Sequence, residues 1–287
     1  MPCFHPITIS RKGFVDLRQV VACGRCVGCR ITRKEAWATR VYHEKQSHER
    51  SCFLTLTYSD ENIPAGGTLV PAHMTGFMKS LRKVVAREHS ALVRFFLCGE
   101  YGDDLFRPHY HVCLFGWDFP DKVSAPKYGE GVMVSTELER IWGKGFCTVG
   151  QLTYQSAAYT AGYVMKKVVG ADASDHYRRL DVGTGEVVDL VPPFVRMSLR
   201  PGIGSDWYGR FGREVFPDDF VVVDGRPRAV PDYYWRKVKS ADPVLAEAIA
   251  ERRAARRSVS PDESPDRLRA REVVAAANFN QRGRNLT

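Results

Sequence analysis

The stretch RPHYHVCLFG, residues 107 to 116, sets two histidines one residue apart at the head of an apolar run. Side chains of a β-strand alternate between faces, so in a strand His109 and His111 point the same way, as two ligands of one ion must. Glu100 closes the preceding strand-like run, VRFFLCGEYG, and a hairpin through YGDDLFRP brings its carboxylate back beside His109. Two imidazoles and one carboxylate, with positions left open for water or substrate, make a catalytic arrangement; a structural site is closed by four protein ligands. Each part also has a plain explanation, namely histidines packed in a strand and an acid exposed at its end. This segment alone does not choose between them.

The second chemical element is AAYTAGYVMKK. Four residues along a helix return to nearly the same direction, so Tyr159 and Tyr163 share a face, and Lys166 and Lys167 lie one turn beyond Tyr163. An amphipathic helix burying two tyrosines has the same pattern. Beside a metal ion the pattern gains chemical meaning. A phenol of pKa near 10 is ionised to only about one part in a thousand at pH 7, and a nearby cation raises that fraction and with it the nucleophilicity.

The third element is CGRCVGC, which spaces Cys23, Cys26 and Cys29 as C-x2-C-x2-C, with Cys3 available as a fourth thiolate and His5 as its rival. A bacterial iron–sulfur run would need a cysteine where Arg33 stands, so a tetrahedral structural Zn²⁺ is the better assignment; reduced cysteines in a turn are the alternative. Cys52, Cys98, Cys113 and Cys147 fall in expected strands and read as small core residues.

The elements that must position these groups are legible in outline. CFLTLTY, residues 52 to 58, alternates as a strand; Phe77, Leu81, Val84 and Val85 have helical spacing; residues 93 to 116 form a hairpin; GFCTVG is a short strand; LTYQSAAYTAGYVMKKV is a helix. RITRKEAWATRVYHEKQSHER, free of Gly and Pro, predicts a basic helix. Further on, RMSLRPGIGSDWYGRFG reads as irregular, and DFVVV with DGRP as a hairpin, before VPDYYWRKV turns its aromatics to the core. The divisions expected are a cysteine-rich start and basic helix over 1–50, a core over 51–170, an extension packing on that core over 171–240, and a charged, partly disordered tail over 241–287. No internal repeat is found.

With 287 residues the chain can bury a substantial core without disulfides. Lys and Arg number 42 against 33 acidic residues, net +9, which makes a polyanion the natural partner and nucleic acid the first candidate. The start, MPCFHPITIS, has no signal-like leader, and no apolar run reaches membrane-spanning length, so the expected setting is a cytoplasm with no membrane contact.

FLTLTY, GEYGDDLFRPHYH and YTAGYVMKK stand in the order and approximate spacing of the three motifs of HUH-type endonucleases, the rolling-circle replication initiators. The chain resembles in particular the initiators of small single-stranded DNA phages, the Microviridae, and among them the gokushovirus-like branch. The likeness covers about residues 1 to 210, including the cysteine-rich start and RPGIG.

That resemblance implies an α+β fold, with an antiparallel sheet of about five strands whose central strand presents His109 and His111 and a tyrosine helix lying beside it. It implies that Glu100, His109 and His111 hold Mg²⁺ or Mn²⁺, that Tyr163 and Tyr159 are nucleophiles, and that Lys166 stabilises the phosphate. The two-tyrosine pattern often has Lys three residues after each Tyr; Gly162 occupies that place after Tyr159, which favours Tyr163 for the first cut. The activity implied is nicking of single-stranded DNA at an origin through a 5′-phosphotyrosine, followed by rejoining, with a host helicase and polymerase as further partners. Arg107 and Lys167 are candidate DNA contacts, and aromatics of SDWYGRF could stack bases. Two other classes share parts of the pattern. A non-haem Fe(II) oxygenase would use the same ligands but leave the Tyr-Lys helix unexplained, and a non-catalytic zinc-containing DNA-binding protein would leave the histidines idle.

Overall fold

Alternating strands and three helices build the first half of the described chain. The computed structural model describes residues 3–11, 14–102, 105–166, 176–180, 185–258 and 264–284. β1 (Ile7–Arg11) and β2 (Phe14–Val21) pair as an antiparallel hairpin, and the basic helix is α1 (Val27–Gln46). Then come β3 (Ser51–Thr57), α2 (Pro71–His89), β4 (Arg94–Tyr101) and β5 (Pro108–Phe115). The short strands β6 (Val123–Ser124) and β7 (Met133–Val134) lead to α3 (Thr136–Trp142), β8 (Cys147–Gly150) and α4 (Tyr154–Lys166). The remainder holds β9 (Arg178–Leu180), β10 (Val187–Asp189), β11 (Phe194–Met197), α5 (Ser205–Asp218), β12 (Phe220–Val223), β13 (Arg226–Ala229), α6 (Asp232–Ala241), α7 (Pro243–Ser258) and α8 (Pro265–Arg284).

The main sheet runs β11-β4-β5-β3-β8-β7-β6, and every pairing given for it is antiparallel. It has seven strands where about five were expected. The excess is β6 and β7, two residues each, too short to leave an alternating signature in sequence. Within the five longer strands β5 is central, paired on both sides.

The sheet buries both faces, which is why its strands read as nearly continuous apolar runs. On one face Leu54, Leu56, Leu97, Tyr110, Val112 and Leu114 pack with Met74, Phe77, Leu81 and Val85 of α2. On the other, Phe96, Cys113 and Phe115 pack with Val41, Leu152, Ala157 and Ile203. Cys52, Cys98, Cys113 and Cys147 are all buried in strands, as small core residues should be. The histidine strand is also pinned from behind: the Tyr110 hydroxyl accepts from the Val70 backbone N–H at 2.9 Å and lies 2.9 Å from the Tyr58 hydroxyl. Gly99 stands opposite Tyr110, and a Cβ there would fall 3.0 Å from that ring and 2.8 Å from Phe194, so the residue before Glu100 has little room for a side chain.

The chain divides into two compact units. One, Trp37–Glu214 with Val222–Pro227, contains the main sheet; the other comprises Met1–Ala36, Val215–Val221 and Arg228–Thr287. Of the stretch read as irregular, residues 196–197 end a strand, β11, on the sheet edge, 198–204 are loop and turn, and the rest is helical, in the 14-residue α5. The 241–287 tail, expected to be partly disordered, carries α7 and α8; Leu268 and Ala275 of α8, seven residues apart on one face, are buried against Phe4 and Cys26. The charge count hid this stripe, because Leu268 and Ala275 are spaced among charged residues that face solvent. The DFVVV–DGRP hairpin forms as β12 and β13.

Within the sheet-bearing unit, Trp207 of the SDWYGRF segment stacks on the buried His43 ring at 3.5 Å, so that indole already has an internal partner and is not a free stacking platform. Burial drives the His43 imidazole from its ordinary 6.5 down to about 3. The unfolded chain takes up a proton there below pH 6.5, and the folded chain does not until about pH 3. Stability carried by neutral His43 is thus complete above 6.5 and is lost as pH falls, by about 1.4 kcal/mol per unit. His43→Phe keeps the stack and removes the titration. Urea unfolding of this variant is expected to show a flatter acid limb between pH 6.5 and 3 than the parent, and parallel limbs would contradict the assignment.

Candidate active site

Strand register fixes the acid and the two imidazoles. Glu100 of β4 is directly opposite His109 of β5, and Cys98 is opposite His111, so the carboxylate faces one ring and is diagonal to the other. Glu100 Oε1 is 2.9 Å from His109 Nε2 and 2.8 Å from His111 Nε2. The two rings stand nearly perpendicular, with centroids 5.0 Å apart. Glu100 and His111 are only 2% and 5% exposed.

The orientation of each ring has an identifiable cause. His109 Nδ1 is 3.0 Å from the Arg107 carbonyl oxygen, which can only accept, so the proton sits on Nδ1 and Nε2 offers a lone pair. His111 Nδ1 is 3.1 Å from Thr55 Oγ1, its cross-strand partner on β3. Phe53 lies parallel to the His111 ring at 5.3 Å. Sequence reasoning missed Thr55 and Phe53; the signal was in the alternation of CFLTLTY, since Phe53 and Thr55 share the sheet face that carries His109 and His111, but it needs the β3–β5 register to be read.

The donor set fits a divalent cation. Three electron-rich atoms converge, and one ligand atom of each residue lies within 4.8 Å of the others. The adjacent-ligand edge of an octahedron with bonds of about 2.1 Å is about 3.0 Å, close to the Nε2-to-Oε1 separations. Glu100 Oε2 is buried with no hydrogen-bond partner among the described residues, an arrangement a cation would relieve.

Helix α4 brings the phenols. Its start is fixed by reciprocal bonds: the Ser156 N–H donates to Thr153 Oγ1 at 3.2 Å, and the Thr153 N–H donates to Ser156 Oγ at 2.8 Å. One turn on, the Tyr159 hydroxyl donates to Glu100 Oε1 at 3.4 Å, with its ring edge-on to His111 at 5.0 Å. The Tyr163 ring is near-parallel to His111 at 6.0 Å and edge-on to Tyr159 at 4.9 Å. Both tyrosines predicted from the helical spacing therefore face the ligand set. They differ in setting: Tyr159 is half-buried, while Tyr163 is 5% exposed. Burial, then the Glu100 carboxylate and Tyr159, push the Tyr163 phenol well above its ordinary 10.

Three candidates remain. Lys166 is the last residue of α4, with its side chain outside the described residues, and Lys167 lies outside them altogether. Arg107 is already engaged: its guanidinium donates to the Tyr58 carbonyl at 2.6 Å and pairs with Asp60 at 2.7 Å, so it ties the end of β3 to the histidine strand.

Fold and site together define an α+β protein in which a carboxylate and two imidazoles from adjacent strands face two phenols on a helix. Residues 51–168 match the family described as Replication-associated protein ORF2/G2P. The chain is 35% identical over 230 residues to Replication-associated protein ORF2 of Spiroplasma virus 4, a span of 76% of this chain and 68% of that protein. It is 30% identical over 224 residues to Replication-associated protein VP4 of Bdellovibrio phage phiMH2K, covering 75% and 67%. Against Replication-associated protein ORF4 of Chlamydia phage 1 the identity is 27% over 250 residues, covering 82% and 59%. No solved structure matches the chain. The chain belongs to the family of phage replication-associated proteins of the Microviridae-like rolling-circle type. Among the described residues no helix is long and apolar enough to cross a membrane.

Proposed function

We propose that this protein initiates rolling-circle replication by nicking single-stranded DNA at an origin, holding the new 5′ end as a phosphotyrosine and later rejoining ends. The observation that carries this reading is the convergence of Glu100, His109 and His111 with the Tyr159 hydroxyl at 3.4 Å from the shared carboxylate. Family membership and the net charge of +9 support a DNA substrate. The likeness to HUH endonucleases in the order of the three motifs supports the chemistry.

Glu100, His109 and His111 would hold Mg²⁺ or Mn²⁺, which when bound withdraws charge from a non-bridging oxygen of the scissile phosphate. Residues of the chain supply the rest. Strand pairing holds the two imidazoles edge to face, Arg107 O and Thr55 Oγ1 keep each Nε2 directed at the shared point, and α4 presents the phenols. A tyrosine Oη attacks phosphorus; the Oη–P bond forms, the P–O3′ bond breaks, the phenol proton leaves and the departing O3′ takes one up. The products are a 5′-phosphotyrosine and a free 3′-OH, which a host polymerase can extend while a host helicase opens the duplex in the bacterial cytoplasm. The phosphotyrosyl bond keeps the energy of the phosphodiester, so the step reverses to rejoin ends. A second tyrosine lets one molecule make a new cut while it still holds the old end.

Incubation with single strands tiling the cognate genome and Mn²⁺ tests the reading directly. One strand is expected to give a denaturant-resistant protein–DNA band that EDTA prevents; its absence across the whole set, with either metal, would refute the proposal.

Thr55→Val keeps the shape of the side chain and removes the oxygen facing His111 Nδ1. Mn²⁺ affinity is expected to fall by about 10- to 100-fold with the thermal midpoint little changed, since partners of this kind orient ligands more than they hold the fold. Unaltered Mn²⁺ titrations would remove Thr55 from the site.

A further inference from the structure

Four thiols that the proposed nuclease chemistry leaves unused meet in the unit that contains the N-terminus. Cys3 precedes β1, Cys23 follows β2, Cys26 precedes α1 and Cys29 lies in its first turn, so one sulfur comes from the segment before β1 and three from the run 23–29. All four sulfurs lie within 4.8 Å of one another. Cys3 Sγ is 3.8 Å from Cys26 Sγ, and Cys23 Sγ is 4.0 Å from Cys29 Sγ. A disulfide would bring sulfurs to about 2.05 Å, so these are separate thiols. The edge of a tetrahedron with Zn–S bonds of about 2.3 Å is about 3.8 Å, which is the spacing found.

The surrounding backbone is arranged for thiolates. The Cys23 N–H donates to Cys3 Sγ at 3.2 Å, the Cys26 and Arg25 N–H groups donate to Cys23 Sγ at 3.3 and 3.4 Å, and the Phe4 N–H donates to Cys26 Sγ at 3.4 Å. Such bonds stabilise negative charge on sulfur, and four thiolates this close repel unless a cation sits among them. His5, the rival fourth ligand, is drawn away: its Nε2 is 2.6 Å from Glu272. Four protein ligands leave no open position for substrate, which marks a structural and not a catalytic centre. A multi-iron cluster would hold its thiolates farther apart than the edge of one tetrahedral ion. An apolar cover of Phe4, Leu268 and Ala275 packs over the sulfurs.

We propose that Cys3, Cys23, Cys26 and Cys29 bind one Zn²⁺ that fastens the segment before β1, the end of β2 and the start of α1 into a single knuckle, capped by α8. This proposal is independent of the nuclease reading, because it uses different residues in a different unit.

The test uses the full chain, purified from zinc-supplemented cells and dialysed against EDTA. Elemental analysis is expected to find one zinc per chain, retained through dialysis and released by a mercurial thiol reagent. Replacement by Co²⁺ should give the visible bands of a tetrahedral tetrathiolate. The Glu100→Ala, His111→Ala double variant should keep its zinc, whereas Cys26→Ser, Cys29→Ser should lose it to background. Zinc-free parent protein, stoichiometric iron in its place, or full zinc retention by the cysteine variant would each overturn the proposal. Should the cysteine variant fail to fold, the metal content and Co²⁺ spectrum of the parent chain still decide.

Discussion

Tyr159→Phe combined with Tyr163→Phe is expected to abolish the covalent protein–DNA adduct, by more than about a thousand-fold, because no other phenol stands at the ligand set among the described residues and a phosphotyrosine cannot form without one. Single variants should separate the two roles. The Tyr159 hydroxyl already reaches Glu100 and its ring is half-buried, whereas Tyr163 is deeper and its phenol resists ionisation more strongly. Tyr159→Phe is therefore expected to remove more of the first adduct than Tyr163→Phe, even though the lysine spacing implied by resemblance points the other way. Tyr163→Phe should spare the first cut and block transfer to a second strand. Denaturing gels with a labelled 3′ fragment, run beside thermal melts to show that each variant folds, distinguish these outcomes. Adduct at parental yield in the double variant would mean that the nucleophile is elsewhere.

Removing one member of the acid–imidazole set should be nearly as severe. Glu100→Gln preserves volume but loses the charge and turns one acceptor into a donor, while His111→Ala removes one ligand outright. Each is expected to eliminate measurable Mn²⁺ binding by calorimetry and to depress adduct formation by on the order of a thousand-fold. Full sensitivity to EDTA with recovery on added Mn²⁺ is expected of the parent protein. Adduct formation in Glu100→Gln that remains both robust and EDTA-sensitive would show that the cation is held by other residues. The thiol-rich knuckle should be indifferent to all of this, since a closed sulfur site keeps its ion under conditions that strip an open oxygen and nitrogen site.

What the sequence determined by itself was local and periodic. Alternation put His109 and His111 on one face of a strand, the four-residue spacing put Tyr159 and Tyr163 on one face of a helix, and hairpin logic returned Glu100 to His109. Those are consequences of backbone geometry, which holds whatever the rest of the chain does. Tight cysteine spacing likewise brought three thiols together before any fold was known.

Tertiary structure decided what depends on register and on remote partners. Thr55 meets His111 only because β3 pairs with β5 in one register, and the Arg107 guanidinium finds the Tyr58 carbonyl and Asp60 only because the chain returns beside the end of β3. The fourth corner of the cysteine cluster went to Cys3 once Glu272 had drawn His5 aside. The helix over the knuckle was invisible in a charged tail, where Leu268 and Ala275 are the buried residues of that helix among those described. Periodicity reports which way a side chain points; what it meets there is set by long-range packing, whose contacts join residues that no local pattern connects.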